Sequence, residues 1–171
     1  MEKLLEKISI YHILNNLVPG SIFCLMLHRI NGINMLSEKT IETVFVYYFV
    51  GMVVSRFGSL VVEPISIKFG IVKYADHHDY IAASPKDEMI ATLLETNNLY
   101  RTIAASGLLV ILIKVYIIIE QRFCFLSDAR PYLVGIIVFV LFLLSYRKQT
   151  AYIKSRVEKV INSDNEVKNN D

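Results

Sequence analysis

The sequence is poor in cysteine and in charge. Its 171 residues include only two cysteines, Cys24 and Cys124, and neither belongs to a CxxC motif or a Cys/His cluster. This excludes a disulfide framework and a zinc module, and we expect both thiols to be free. Only 20% of the residues are charged, whereas 54% are hydrophobic. A disordered chain is therefore excluded, because the apolar surface far exceeds the charge that could keep it solvated.

Motifs of enzymatic chemistry are also missing. The chain has no P-loop, no GxGxxG, GxSxG or HExxH pattern, and no pair of carboxylates within an apolar run. The segment Asp76-His77-His78-Asp79 has no standard zinc spacing, so a solvated turn at a membrane interface is the favoured interpretation. We therefore expect a protein that is not an enzyme and that holds no metal or cofactor.

Long apolar runs are what the sequence does contain. A helix needs about 20 largely apolar residues to cross a bilayer. Four windows approach this length, at residues 8–30, 41–62, 99–119 and 131–146. We expect the first to be a retained helix, kinked near Pro19-Gly20, rather than a cleaved signal peptide. The sequence thus predicts an all-α membrane protein with four transmembrane helices.

Two of these helices are predicted to continue beyond the bilayer. Ser37 and Ser84 are the expected N-caps of the second and third helices, and Pro85 suits the first position of the third. No helix breaker follows, so the third helix is predicted to run from about residue 85 to 120. The fourth, capped by Ser127 or Asp128, keeps a helical stripe of apolar residues to about residue 162.

The basic residues are unevenly distributed along the chain. With four spans, both termini and the loop between the second and third spans lie on one side, which carries 12 of the 18 lysines and arginines, against 4 on the other side. The positive-inside rule then predicts that both termini are cytoplasmic. We expect one domain, residues 1–162, with a cytoplasmic helical collar at 63–98 and 147–162, followed by a flexible tail at 163–171.

Arg56 is the most informative residue within an apolar run. It lies about seven residues from the end of the second run, or roughly 10 Å into the bilayer. A buried cation there costs several kcal/mol unless it pairs, faces water or reaches the headgroups. Asn15, Asn16 and Ser106 lie at the same depth in other runs, and Glu63 follows on the same helix face. These five residues are candidates for a pore or gating layer; headgroup snorkelling of Arg56 and a structural hydrogen bond between helices are the alternatives.

A basic strip follows the fourth apolar run. It consists of Arg147, Lys148, Lys154, Arg156 and Lys159, with Glu158 as the only acid among them. Beside a membrane such a strip can set the topology and contact lipid headgroups. It can also bind an anion or an oligonucleotide, with Tyr146 and Tyr152 available for base stacking. Both interpretations remain open on spacing alone.

Four segments together carry a resemblance to a known group of proteins: NNLVPG, SRFGSLVVEP, NNLYRT and SYRKQTAYIKSRVEKV. The chain resembles the membrane effectors of the Hailong system, small bacterial proteins of anti-phage defence. The resemblance implies a homo-oligomeric, tetrameric ion channel of the inner membrane, held closed by a DNA oligomer that a partner nucleotidyltransferase makes. It also implies an electropositive cytoplasmic basin, and the residues here that fit it are Arg101, Arg147, Lys148, Lys154 and Arg156.

Two functional hypotheses follow. The first is an oligomeric inner-membrane pore of an abortive-infection system, gated by a cytoplasmic anionic ligand, which depolarises the host when it opens. The spans show one intramembrane arginine and no solute-sized polar cavity, so we expect the conducting path to form between subunits on a symmetry axis. The second hypothesis is a non-conducting membrane anchor or accessory subunit that recruits a cytoplasmic partner through the collar.

Overall fold

The computed structural model describes the backbone of residues 2–75, 79–80, 83–84, 86–123 and 125–169, and their side chains except at 2–12, 88, 160 and 162–169. In chain order these residues form α1 (Glu2–Asn31), α2 (Thr40–Phe57), a π turn (Gly58–Val62), α3 (Glu63–Lys68), α4 (Glu88–Glu120) and α5 (Phe125–Asn169). Throughout this described part there is no strand. The predicted all-α class is confirmed.

Four stretches of helix are long and apolar enough to cross a membrane: Ile13–Asn31, Thr40–Lys68, Met89–Glu120 and Phe125–Lys159. They contain the four predicted apolar runs, except for the first few residues of the first. Helical backbone suits this setting because lipid offers no hydrogen-bond partner, so each peptide group must bond within its own segment. The four predicted spans are therefore present as helices.

Successive spans run in opposite directions. At one end of the bundle, Asn31 donates from Nδ2 to the carbonyl of Val110 at 3.2 Å, and Lys114 donates to the carbonyl of Ile30 at 3.4 Å. These contacts bring the end of α1 beside the last turns of α4. At the opposite end, Lys148 of α5 donates to the carbonyl of Ser59 in the π turn at 3.0 Å. We call this second end, which also carries α3, the polar end.

The helix starts differ from the predicted caps. Helix α4 begins at Glu88, and Asp87 is its N-cap, because the Asp87 carboxylate accepts the backbone N–H of Met89 at 2.9 Å. A start near residue 85 with Ser84 as cap is therefore wrong. Ser37 likewise precedes α2 without capping it; Lys39 is the N-cap residue, and the Ser37 hydroxyl donates to Glu42 instead, at 2.6 Å.

Helix α5 is longer than predicted at both ends. It begins at Phe125, so the expected caps Ser127 and Asp128 lie inside its first turn, and it continues to residue 169 rather than 162. At its start, Arg130 forms an ion pair with the buried Glu120 at the end of α4. This pair closes the short connection between the two helices. Cys124 in that connection, Pro85, and residues 76–78 lie outside the described residues.

The closest helix crossing joins α1 and α2 at two glycines. A Cβ on Gly20 would lie 1.8 Å from the carbonyl oxygen of Tyr47, and a Cβ on Gly51 would lie 1.8 Å from that of Asn16. Any larger residue would push the backbones apart, which is how small residues pack membrane helices. A buried core surrounds this crossing: Phe23, Cys24, Leu27 and Val110 lie toward the end opposite the polar end, and Val54 and Ala105 lie on the side of the polar end.

Helix α5 lies at the periphery of the bundle. Leu141 is its one buried apolar residue in the described part, and Phe142 stacks on Phe49 of α2 with ring centroids 6.4 Å apart. Most of its other large apolar side chains are exposed, including Phe139 at 67% and Ile136 at 60%. In a membrane protein such a surface faces lipid or another subunit.

The glycine crossing predicts a specific sensitivity. Gly51→Ala should destabilise the protein by about 1–3 kcal/mol, because the added methyl overlaps a backbone oxygen that cannot rotate away. The measurement is thermal unfolding in detergent in a Cys124→Ser background. Unfolding is monitored by the reaction of a thiol-specific dye with Cys24, which is buried in the folded protein. Gly135→Ala is the control, since nothing lies within 4 Å of a Cβ added there. Equal unfolding midpoints for the two variants would contradict the crossing.

Candidate functional site

A polar cavity of about 890 Å³ opens at the polar end, between α1, α2, the π turn, α4 and α5. Six of the predicted site residues line it: Asn15, Asn16, Arg56, Glu63, Arg101 and Lys148. A volume of this size is typical of small-molecule sites. The expectation that one subunit contains no solute-sized polar cavity is therefore wrong. The spacing of residues along each helix could not reveal the cavity, because it does not give the distances between helices at the polar end.

One carboxylate connects three segments at this cavity. Glu63, at the start of α3, pairs through Oε2 with Arg101 of α4 and through Oε1 with Lys148 of α5, the latter at 3.1 Å. The side chains of Glu63 and Arg101 are only 16% and 17% exposed. Removing one partner of an ion pair that is shielded from water in this way leaves an uncompensated charge, which is costly. The Nε of Arg101 is a buried donor with no partner in the described part of the chain.

The π turn explains why Lys148 is needed here. The N–H of Glu63 donates to the carbonyl of Gly58, five residues earlier. In the same register the carbonyl of Ser59 would accept from residue 64, but Pro64 has no N–H. Lys148 donates from Nζ to this Ser59 carbonyl at 3.0 Å and to the Ser59 hydroxyl at 2.9 Å. The missing backbone donor is thus replaced by a side chain from another helix.

Lys148 has no donor left for a ligand. An ammonium group carries three N–H bonds, and the three acceptors are the Ser59 carbonyl, the Ser59 hydroxyl and Glu63. Its role in this structure is therefore to hold the π turn and Glu63 to α5. Neither Ser59 nor Pro64 was among the predicted site residues, although a proline inside a helical run was the signal that could have pointed to them.

Arg56 differs from the other two cavity cations. It is partly buried and lines the cavity, and its guanidinium makes no hydrogen bond or ion pair with the residues that the structure describes. A π turn contains about one residue more than an α turn, so it rotates later side chains by roughly 100°. Glu63 is thereby turned away from the face of Arg56 and pairs with Arg101 and Lys148 instead.

The charge of the lining is positive overall. Three basic side chains, Arg56, Arg101 and Lys148, face two acidic ones, Glu63 and Glu95. Because Glu63 is already shared by Arg101 and Lys148, Arg56 is the cation with the most unused hydrogen-bonding capacity. Its five N–H groups suit a carboxylate or a phosphate.

The other pore or gating candidates have different roles. Asn15 and Asn16 line the cavity, and the Asn16 backbone also forms the close contact with Gly51. Ser106 is fully buried within α4, where its hydroxyl donates to the carbonyl of Thr102 at 3.0 Å. Ser106 does not line the cavity. The polar side chains that do line it come from α1, α2, the π turn, α3, α4 and α5.

The five ligand candidates do not converge within one chain. Arg101 and Lys148 line the cavity, whereas Arg147 and Lys154 line a shallow groove of about 490 Å³ on another face of α5, beside Leu143 and Leu144. Arg156 is exposed and lines neither. Consecutive residues on a helix point about 100° apart, which explains why Arg147 and Lys148 separate.

The structure describes one of the two cysteines and part of the segment at residues 76–79. Cys24 is a free, buried thiol, while Cys124 and residues 76–78 lie outside the described part. Within that part no group of three or more histidine, cysteine, aspartate or glutamate side chains could hold a metal ion.

Comparison with protein-family models, with curated proteins and with solved structures finds no match for this chain. The comparisons therefore assign it no family. The function has to be argued from the cavity and from the helices that form it.

The Glu63 network predicts a large effect of one neutral substitution. Glu63→Gln should destabilise the protein by about 3 kcal/mol, since it leaves two cations without a counter-charge in a partly buried site. Glu158→Gln is the matched control, because its ion pair with Lys154 is mostly exposed and is expected to contribute less than about 1 kcal/mol. Both are measured by the same Cys24 unfolding assay. Similar midpoints for the two variants would mean that the three-way pair contributes nothing.

Proposed function

We propose that this protein is a subunit of a homo-oligomeric pore in the bacterial inner membrane, gated by an anionic ligand. The observation that carries the proposal is Arg56, a cation with no partner among the described residues, which lines a polar cavity inside the bundle of four apolar helices. A charged residue at such a position is costly, and in membrane proteins it commonly marks the path of an ion or the site of a ligand.

The network beside Arg56 supports gating. An anion that enters the cavity can bind Arg56 and compete with Glu63 for Arg101. Because Glu63 joins α3 to α4 and α5, such competition changes the contacts between helices. A ligand shifts a conformational equilibrium by its differential affinity for the two states, and a charge network that rearranges on binding supplies that difference.

The shape of the cavity supports an oligomer. The cavity lining extends no further than Asn16 on α1 and Thr102 on α4, so the cavity of a single chain does not reach the other end of the bundle. A conducting path therefore needs further copies around an axis. The exposed apolar surface of α5 is available for such contacts. A tetramer is the number that the resemblance to the Hailong effectors suggests.

The orientation follows from the distribution of charge. The polar end carries the side of the chain that is rich in lysine and arginine, so the positive-inside rule places it, with both termini, in the cytoplasm. The first turns of α4 and the last part of α5 then form the cytoplasmic collar. The ligand would enter the cavity from this side.

A DNA oligomer made by a partner nucleotidyltransferase is the ligand that the resemblance suggests. Three tyrosines, Tyr74, Tyr80 and Tyr152, line the same cavity as Arg56. Aromatic rings next to cations are the usual means of holding single-stranded nucleic acid without sequence preference. The cavity lining is compatible with such a ligand.

Pore function is tested by ion selectivity. In vesicles that contain the purified protein and carry a salt gradient, Arg56→Gln should raise the cation-to-anion permeability ratio about tenfold, because a positive charge in the path repels cations. Lys86→Gln removes a charge at the same end but from an exposed position outside the cavity, and should leave the ratio unchanged. Equal reversal potentials for wild type and Arg56→Gln would exclude Arg56 from the path.

Ligand binding is tested by its dependence on salt. A short single-stranded DNA should bind more weakly as salt rises, and Arg56→Gln should reduce the slope by about 0.7, the value for one lost phosphate contact. Arg147→Glu tests the outer face of α5 in the same titration. If only that variant weakens binding, the ligand lies outside the cavity. Salt-insensitive or absent binding would exclude an oligonucleotide.

The second candidate function, a non-conducting anchor, is favoured by one feature of α5. Its C-terminal part carries a stripe of exposed apolar residues, Ile153, Val157 and Ile161, each more than half exposed. Such a stripe on the collar suits the docking of a partner helix. Vesicles that stay impermeable to ions with and without the DNA would favour this function over the pore.

A further inference from the structure

We propose that copies of this chain assemble through α5. The α5 helices of neighbouring copies form a parallel coiled coil, in register, along a face of α5 that begins in the membrane and continues beyond it. The inference rests on the homo-oligomer of the proposed function, to which it adds the interface, but it does not depend on ion conduction.

One face of α5 carries a seven-residue repeat, the pattern of a coiled coil. Its positions are separated alternately by four and three residues, all of them are exposed, and all but one are apolar: Tyr132, Ile136, Phe139, Leu143, Tyr146, Thr150, Ile153 and Val157. We call these residues the α5 stripe. Leu141, which is buried, and Lys148, which bonds Ser59, lie on the opposite side of the helix at 100° per residue. The stripe therefore faces away from the bundle of its own chain.

The α5 stripe passes from one medium into another. The apolar stretch Phe125–Lys159 has 35 residues, or about 50 Å of helix, whereas the hydrocarbon core is about 30 Å thick. The last part of the stripe, Ile153 and Val157, alternates with Lys154 and Arg156, and this part is the one that extends beyond the lipid.

A second copy of α5 is the occupant that suits the whole stripe. Lipid would cover only the first part, and a soluble partner would cover only the last part. Another α5 crosses the membrane boundary at the same residues, so it presents apolar side chains along both parts. Copies of one chain share one orientation in the membrane, which makes the two helices parallel.

A groove on the stripe has the shape that this packing requires. In a coiled coil, each core side chain inserts into a hole formed by four residues of the facing helix. The shallow groove of about 490 Å³ includes in its lining Leu143, Tyr146, Arg147 and Thr150. In a parallel coil in register, these four form the hole for Tyr146 of the partner subunit. The Thr150 hydroxyl donates to the Tyr146 carbonyl of its own helix at 2.9 Å, so its burial leaves no unpaired donor.

The charges beside the stripe are compatible with this register. In a parallel coiled coil, the residue just before a core position faces the residue five positions later on the other helix. Gln149 then faces Lys154 of the partner subunit, and Arg156 faces Ile161 of the partner subunit. No two cations are brought together by these contacts.

Disulfide cross-linking in isolated membranes tests the interface and its direction. In a Cys24→Ala, Cys124→Ser background, Tyr132→Cys and Val157→Cys each place a single thiol at one end of the stripe. Each should form a disulfide-linked dimer of the chain about tenfold faster than a thiol outside the stripe, because a parallel coil in register brings both ends next to the same residue of the other copy. The dimer is quantified on gels without reductant.

The matched controls are Ile137→Cys in the membrane part and Ala151→Cys in the part beyond it, both exposed on α5 but outside the stripe. Cross-linking at only one end of the stripe, or equally fast at the controls, would overturn the proposal. So would a product in which Val157→Cys is joined to a different protein, because the stripe would then be the docking site of a partner helix.

Removal of a tyrosine tests the groove. In the Val157→Cys background, Tyr146→Ala should slow dimer formation about fivefold, because it leaves a hole unfilled at the interface. Tyr100→Ala removes a similarly exposed tyrosine of α4 and should leave the rate unchanged. Equal rates for these two variants would show that Tyr146 does not fill the groove of a second copy.

The interface and the pore can fail separately. Cross-links at both ends of the stripe in a protein that passes no ions would uphold the interface and refute the pore. Ion conduction with the expected effect of Arg56→Gln, but without these cross-links, would uphold the pore and refute the interface.

Discussion

The polar end of the structure depends on one backbone carbonyl, that of Ser59. Lipid offers no donor to a carbonyl that lacks one, so each must be satisfied by the protein itself. Pro64 removes the donor that this carbonyl would use, and Lys148 supplies it from α5. The same ammonium also holds Glu63, which in turn pairs with Arg101. A single missing N–H thus accounts for the hydrogen bonds from Lys148 to Ser59, which join the fourth span to the second beside the Phe49–Phe142 contact.

The bundle contains two kinds of packing. Beyond the cavity, α1 and α2 are in contact at two glycines, and α1, α2 and α4 share a cluster of buried apolar side chains. At the polar end, the helices stand apart around the cavity and are connected by charges. Apolar contacts between membrane helices depend on close packing of complementary surfaces. An ion pair, in contrast, can be replaced by an ion pair between one of its members and a charged ligand. Under the proposed function, the polar end is the part that responds to the anion.

Much of the fold was predictable because its causes are local. Four apolar runs of sufficient length predict four helices, since a helix is the only way for such a run to satisfy its backbone in lipid. Depth relative to Arg56 selected Asn15, Asn16 and Ser106, and helix periodicity selected Glu63. The structure brings these residues to one cavity with Arg56, except for Ser106. The caps were less predictable: Asp87 and Ser84 both suit a helix start, and only the hydrogen bond to Met89 distinguishes them.

The sequence by itself determined that the helices suit an apolar environment, how many of them there are, and which polar side chains need a partner in that environment. Which of these residues meet was decided by the tertiary structure. Arg147 and Lys148 are neighbours in sequence, yet one lines an outer groove and the other is saturated by Ser59 and Glu63. The spacing of Arg56 and Glu63 indicates a shared face, but the π turn rotates them apart. Partners are set by the register and separation of whole helices, and these depend on contacts between residues far apart in the chain.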